Sequence, residues 1–276
     1  MLLDTLLMAL GGSEIFPALL LTLWFIGGIA IYLALVRQTK ARPPGATAEE
    51  PRRFGLPEAV VAAVLTFFLL FGLFVTVSHP PPKLRDNVVV QNLFFILAIV
   101  LVIAAFLRLR GFNLSAVAGF SKISFLRALS IGIVLLIAAY PLIAMADAIT
   151  QRLLGAGSSR QSIVELFSGS STIEQRVMII FFAVAVAPPA EEFLFRFFLY
   201  GVLRRYFGRF LGLVSNALLF AAVHSHLPSF APLFVLGSCF TLAYEWSGSI
   251  LVSMTMHALF NSVSLIALAF PDLFSQ

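Results

Sequence analysis

Charge is what this sequence has least of. Only 11% of its 276 residues are Asp, Glu, Lys or Arg, against 60% that are hydrophobic, and the mean hydropathy is +1.01. Water-soluble domains carry about 25% charged residues, because a solvated surface needs polar groups to cover it. In water, a fold of this composition would expose apolar patches large enough to aggregate. The solvent implied is lipid. Cysteine is almost absent as well: Cys239 stands alone within an apolar run, which excludes an internal disulfide and reads as a small packing residue. No internal repeat and no low-complexity segment is present. The N-terminus lacks the basic stretch of a signal peptide, so the first apolar run is expected to be a retained span.

What the sequence has in quantity is apolar runs. They cover about 15–36, 59–78, 89–107, 128–149, 177–203, 210–226, 230–244 and 249–270. The uncharged stretch from Ile15 to Val36 would rise to about 33 Å as a helix, enough to cross the hydrocarbon core. The reading is an all-α, polytopic transmembrane helical bundle of about eight spans. Seven or nine are also accommodated, because the 230–244 run is short and Pro188 and Pro189 interrupt the 177–203 run. Proline removes a donor and clashes with the preceding turn, so a break or kink is expected there, with Pro189 able to open a new helix. Twenty-nine Phe residues suit a lipid-facing surface, since Phe leaves no polar atom unpaired.

The net charge of +5 does not make a nucleic-acid partner, because the basic residues lie between apolar runs and not along one stripe. Arg37, Lys40, Arg42, Arg52 and Arg53 mark 37–58 as a cytoplasmic loop, made irregular by Pro43, Pro44, Pro51 and Pro57. With eight spans, Arg108, Arg110, Lys122 and Arg127 fall on the same side, as do Arg204, Arg205 and Arg209, which places the N-terminus outside. Residues 107–127 mix basic and apolar side chains and suit the membrane surface. The serine-rich 150–176 stretch reads as a loop over a neighbouring face, and the chemistry is expected after it.

Ionisable residues within transmembrane segments are costly, and they mark a functional site or a pairing. Glu191, Glu192, Arg196, His224 and His257 stand out, with Asn261 as an uncharged companion; Asp147 and Glu245, near run ends, read as interfacial. Glu192 and Arg196 are four apart and share a helix face, as an ion pair in the favoured order. Glu191 lies about 100° round the axis, without an intrahelical partner. If a helix opens at Pro189, Glu191 is in its first turn, where the dipole favours the carboxylate while burial opposes ionisation. Such a group can take a proton from water and return it. The same carboxylates could instead share Arg196 in a purely structural network. His224 sits in the helical run after Phe220, and His226, close to Pro228, reads as a helix-end residue. His257 and Asn261 again share one face, suited either to stabilising an oxyanion or to bonding between helices.

EExxxR, FxxxH and HxxxN in this order, each in an apolar helix, resemble the CPBP family of CAAX prenyl protease 2 and related bacterial membrane proteins linked to bacteriocin processing and immunity. The motifs match at Glu191, Glu192 and Arg196, at Phe220 and His224, and at His257 and Asn261, within roughly residues 160–265. The linker Trp246-Ser-Gly-Ser-Ile250 is similar too. The resemblance implies a protease core over 126–276, with 1–125 as N-terminal spans and a cytoplasmic loop, in a bacterial plasma membrane. It also implies an intramembrane endopeptidase acting on a peptide or lipidated protein, of which prenylated CAAX substrates are one class. Glu191 and His224 would activate water, His257 and Asn261 would stabilise the oxyanion, and Glu192, Arg196 and Phe220 would support them. Glu191, His224 and His257 also have the chemistry of a zinc or other divalent metal site. Without HExxH the spacing does not specify one, and the metal-independent mechanism is favoured. Two other readings compete. One is a non-catalytic protein binding a peptide or partner through the same pocket, as in bacteriocin self-immunity. The other is a small transporter, disfavoured because no paired broken helices recur in two halves.

Overall fold

A computed structural model describes residues 12–41, 54–79, 86–154, 167, 169, 170 and 172–270. Helices α1 (Gly12–Ala41), α2 (Leu56–Ser78), α3 (Asp86–Leu109), the short α4 (Leu114–Val117) and α5 (Phe125–Leu154) form the first part. A continuous helical stretch follows: α6 (Ile173–Phe181), a π-helical turn (Phe182–Val186), α7 (Ala187–Glu192), a second π-helical turn (Phe193–Leu199) and α8 (Tyr200–Val223). A 3₁₀ turn (Leu227–Ser229) leads to α9 (Phe230–Ser247) and α10 (Ile250–Ala269). No strand occurs among the described residues.

Seven of the helical stretches are long and apolar enough to cross a membrane, which makes the chain an integral membrane protein. One of them, Ile173–Val223, is 51 residues long and is not a single rod. Gly208 has φ 78° and ψ 176°, a conformation open almost only to glycine, and the chain reverses there. A Cβ on Gly212 would lie 2.9 Å from the backbone nitrogen of Arg204, a contact that only a folded-back pair of limbs can make. Counting both limbs gives the eight segments expected from the apolar runs. The GxxxG pair Gly208 and Gly212 therefore serves a hairpin within one chain: the first glycine turns it and the second lets its limbs close. Gly208→Ala is expected to cost about 1–3 kcal/mol, seen as a lower Tm in detergent. Gly27→Ala, where a Cβ would meet nothing within 4 Å, should leave Tm unchanged.

The centre of the bundle is α5, α8, α9 and α10, with α1 against α5 and α9, and α2 against α8. Phe67, Phe74, Leu101 and Val102 are exposed on α2 and α3, as lipid-facing residues should be. Polar bonds between helices supplement the apolar packing of the core. Trp24 donates its indole N–H to the carbonyl of Ile137 at 2.8 Å, and Tyr32 donates to that of Leu135 at 2.9 Å. The first of these has a cause in the sequence. Pro141 lacks the N–H that would have bonded Ile137 four residues back, and α1 supplies a substitute.

Two acidic residues near run ends make pairings that the sequence did not reveal. Glu245 has a side chain only 6% exposed and pairs with Arg204 at 2.6 Å and Arg209 at 3.1 Å. Tyr200 also donates to it at 2.9 Å, so the end of α9 is clamped to both limbs of the hairpin. Glu58, which the sequence placed at the end of a loop, is fully buried at the start of α2. It accepts from Gly55 N and from Arg110 Nε at 3.0 Å. The long 107–127 stretch docks on the α9–α10 turn, where Ala118 accepts from the backbone N–H of Ile250 at 2.9 Å. Ser158, Ser159, Ser168 and Ser171 of the serine-rich stretch lie outside the described residues.

Candidate functional site

The prolines do not break the helix at the site. Pro188 and Pro189 lie inside α7, helical φ/ψ continues through them, and the strain is taken by a π-helical turn on each side. A wider turn moves the carbonyl four residues back away from the proline ring, which is how a helix absorbs this clash. One consequence is electrostatic. Glu191 does not occupy a first turn, because the helix opens at Ile173 with Thr172 as its side-chain cap. The N-terminal dipole expected at Glu191 is therefore a full α6 and a π turn away, and it falls off within one turn of the helix end.

Glu192 and Arg196 are both fully buried, with Arg196 Nη1 2.9 Å from Glu192 Oε1, the intrahelical pair expected from their spacing. Glu192 has a second partner that the spacing did not reveal. Its Oε1 lies 3.0 Å from Nδ1 of His257, across to α10, and Ser253 lies beside it as well. This makes Nδ1 the ring nitrogen that carries the proton and turns Nε2 toward Glu191, whose Oε2 is 3.9 Å away. The Glu191 side chain is 20% exposed, against none for Glu192. Two adjacent carboxylates thus have different surroundings: Glu192 is sealed in an ion pair, while Glu191 is partly exposed and its Oε2, the oxygen facing His257, is buried without a hydrogen-bond partner.

Aromatic rings fill the space between the charges. The Arg196 guanidinium lies 4.2 Å from the Phe220 ring centroid and 5.1 Å from that of Phe240. None of its nitrogens meets a protein acceptor in good hydrogen-bond geometry, so ring faces and the Glu192 charge are what it has. Phe240 also stacks on His257 at 5.1 Å, and Phe220 packs edge-on against both His224 and His257. Phe240 was not singled out by sequence. It is one Phe among many, and nothing in the spacing marks it.

His224 caps the C-terminus of α8, where its Nδ1 is 2.6 Å from the carbonyl of Phe220. That bond leaves Nε2 free, within electrostatic range of Glu191, His257 and Arg196. His226 turns away to Ser229, as expected of a helix-end residue. Asn261, one turn beyond His257 on α10, donates from Nδ2 to the carbonyl of Ala183 at 2.7 Å. Among the described residues, no group of three or more His, Cys, Asp or Glu side chains is placed to hold a metal ion. The structure thus brings the three sequence motifs together from four helical segments.

Residues 173–263 match the family model described as Rce1-like, type II CAAX prenyl endopeptidase. The match falls on the segment whose motifs resemble the CAAX-protease family. No curated protein and no solved structure gives a significant match. The Rce1-like segment opens at the first residue of α6 and closes two residues after Asn261, so it contains all seven motif residues. Phe240, which touches Arg196 and His257, also lies within the Rce1-like segment.

Proposed function

We propose that the chain is an intramembrane endopeptidase that hydrolyses a peptide bond of a membrane-associated substrate, with prenylated CAAX-type peptides as the first class to test. The observation that carries this reading is the contrast between Glu191 and Glu192. Glu191 is a partly open carboxylate facing Nε2 of His257, while its neighbour is sealed against Arg196 and Nδ1 of the same ring.

Glu191 takes a proton from a water as that oxygen bonds to the scissile carbonyl carbon, with His224 Nε2 orienting the water. The carbonyl electron pair moves to oxygen. His257, in its imidazolium form, offers Nε2–H to that oxyanion, and Asn261 offers the amide N–H not bonded to Ala183. Collapse breaks the C–N bond, and the proton on Glu191 passes to the leaving nitrogen. Glu192 and Arg196 hold His257 in register throughout.

The test uses purified protein in lipid vesicles with farnesylated and unmodified peptides of one sequence. Cleavage of the farnesylated peptide alone supports the CAAX class. Cleavage of both widens the substrate class, and cleavage of neither sinks the reading in favour of a binding role. The mechanism is metal-independent, so incubation with a strong chelator should leave kcat within about twofold, whereas losing a metal that lowers the pKa of its bound water would abolish turnover.

A further inference from the structure

The bond between Asn261 and Ala183 has a cause that gives Asn261 a second task. In the π-helical turn before α7, the backbone N–H of Ala187 bonds to the carbonyl of Phe182, five residues back. The next donor in that register, for the carbonyl of Ala183, would be residue 188. That residue is Pro188, which has no N–H. The proline thus orphans the Ala183 carbonyl in a part-buried site within lipid, where an unmatched polar group is costly. Asn261 meets it from α10 at 2.7 Å. The same device recurs in α5, where Pro141 orphans Ile137 and Trp24 supplies the donor from α1. Only the first instance stands beside Glu191, which is three residues after Pro188.

We infer that Asn261 is a positioning residue: its bond to Ala183 fixes the proline-widened turn, and through it the placement of Glu191 against His257. The inference deepens the peptidase reading and rests on it for its consequence in turnover. His257 and Asn261 are on one face of α10 and α7 packs on that helix, so one rigid face holds both members of the Glu191–His257 pair. Losing the Ala183 bond lets α7 slide along α10, and distances at the reacting groups change with little effect on the rest of the substrate contacts.

Two double-mutant cycles test this. In the first, Asn261→Ala is made with and without Pro188→Ala, which returns a backbone N–H able to reach Ala183. In the second, Trp24→Phe is made with and without Pro141→Ala. Each single loss of a side-chain donor should lower Tm by roughly 2–4 °C, and each loss should largely vanish in its alanine background. Only the first cycle should touch turnover, with Asn261→Ala lowering kcat by about 10–100-fold at nearly constant KM and Pro188→Ala recovering part of it. Three results overturn the inference: an equal kcat loss from Asn261→Ala in both backgrounds, a Tm loss without any kcat loss, or no Tm coupling. If wild type cleaves no peptide, the peptidase reading fails, and the Tm cycle still decides whether Asn261 satisfies the proline-orphaned carbonyl.

Discussion

Glu191→Gln should abolish peptide hydrolysis while leaving the protein folded. Gln keeps the shape of the side chain and most of its hydrogen-bonding reach, but it cannot accept and return a proton near neutral pH. Removing a positioned general base costs about 10²–10⁴-fold in rate, so kcat should fall by that amount with KM little changed. Stability should not follow. Glu191 is partly exposed, its buried Oε2 makes no hydrogen bond within the protein that a substitution would break, and the nearest ionisable group, His257 Nε2, is 3.9 Å away. The measurement is initial rate against peptide concentration in vesicles, beside a Tm scan of the same preparation. Cleavage that persists in Glu191→Gln removes Glu191 as the base, and a large fall in Tm would show that it is structural.

Arg196→Met should do the opposite to the balance of effects. Arg196 and Glu192 are both fully buried, and taking away one partner leaves a buried carboxylate with His257 and Ser253 but without its cationic neighbour. Breaking a buried pair in this way costs about 3–5 kcal/mol, and the lost contacts with Phe220 and Phe240 add about 2 kcal/mol. Tm should fall on the order of 10 °C, with activity lost as His257 loses its anchor. The companion variant Glu192→Gln/Arg196→Met removes both charges and should recover a good part of that stability, since no unpaired ion is then buried. Activity should not return with it, because the carboxylate that orients His257 is gone. A double variant no more stable than Arg196→Met would show that the pair is not the source of the loss.

Part of this site was legible in the sequence. Glu192 and Arg196 announced their pairing by being four apart in a helix, since that spacing puts side chains on one face whatever surrounds them. His226 and its Pro228 neighbour read as a helix end for an equally local reason. The apolar runs also divided the long helical stretch near Gly208, although the motif there did not say that the two limbs belong to one chain. The prolines interrupt the regular α-helix as expected, but with π-helical turns and without a break, for a reason outside the local sequence. A proline pair breaks a helix when its orphaned carbonyls have nowhere to go, and here one of them meets Asn261, 78 residues further along. The partners of Glu245 were hidden likewise, because Arg204, Arg209 and Tyr200 reach it only after the chain has turned at Gly208.

Residence in the membrane and the helical class of the fold were set by composition and run length, properties that add residue by residue and need no knowledge of partners. The identity of the polar residues was equally plain, because lipid tolerates so few. Which of them meet was decided only by tertiary structure. In lipid each polar group must find its partner within the protein, and those partners come from other helices. Glu192 finds His257 65 residues away, and the difference between a sealed Glu192 and an open Glu191 is made by that contact. Adjacent in sequence and chemically identical, the two carboxylates are separated in role by what the fold brings to each.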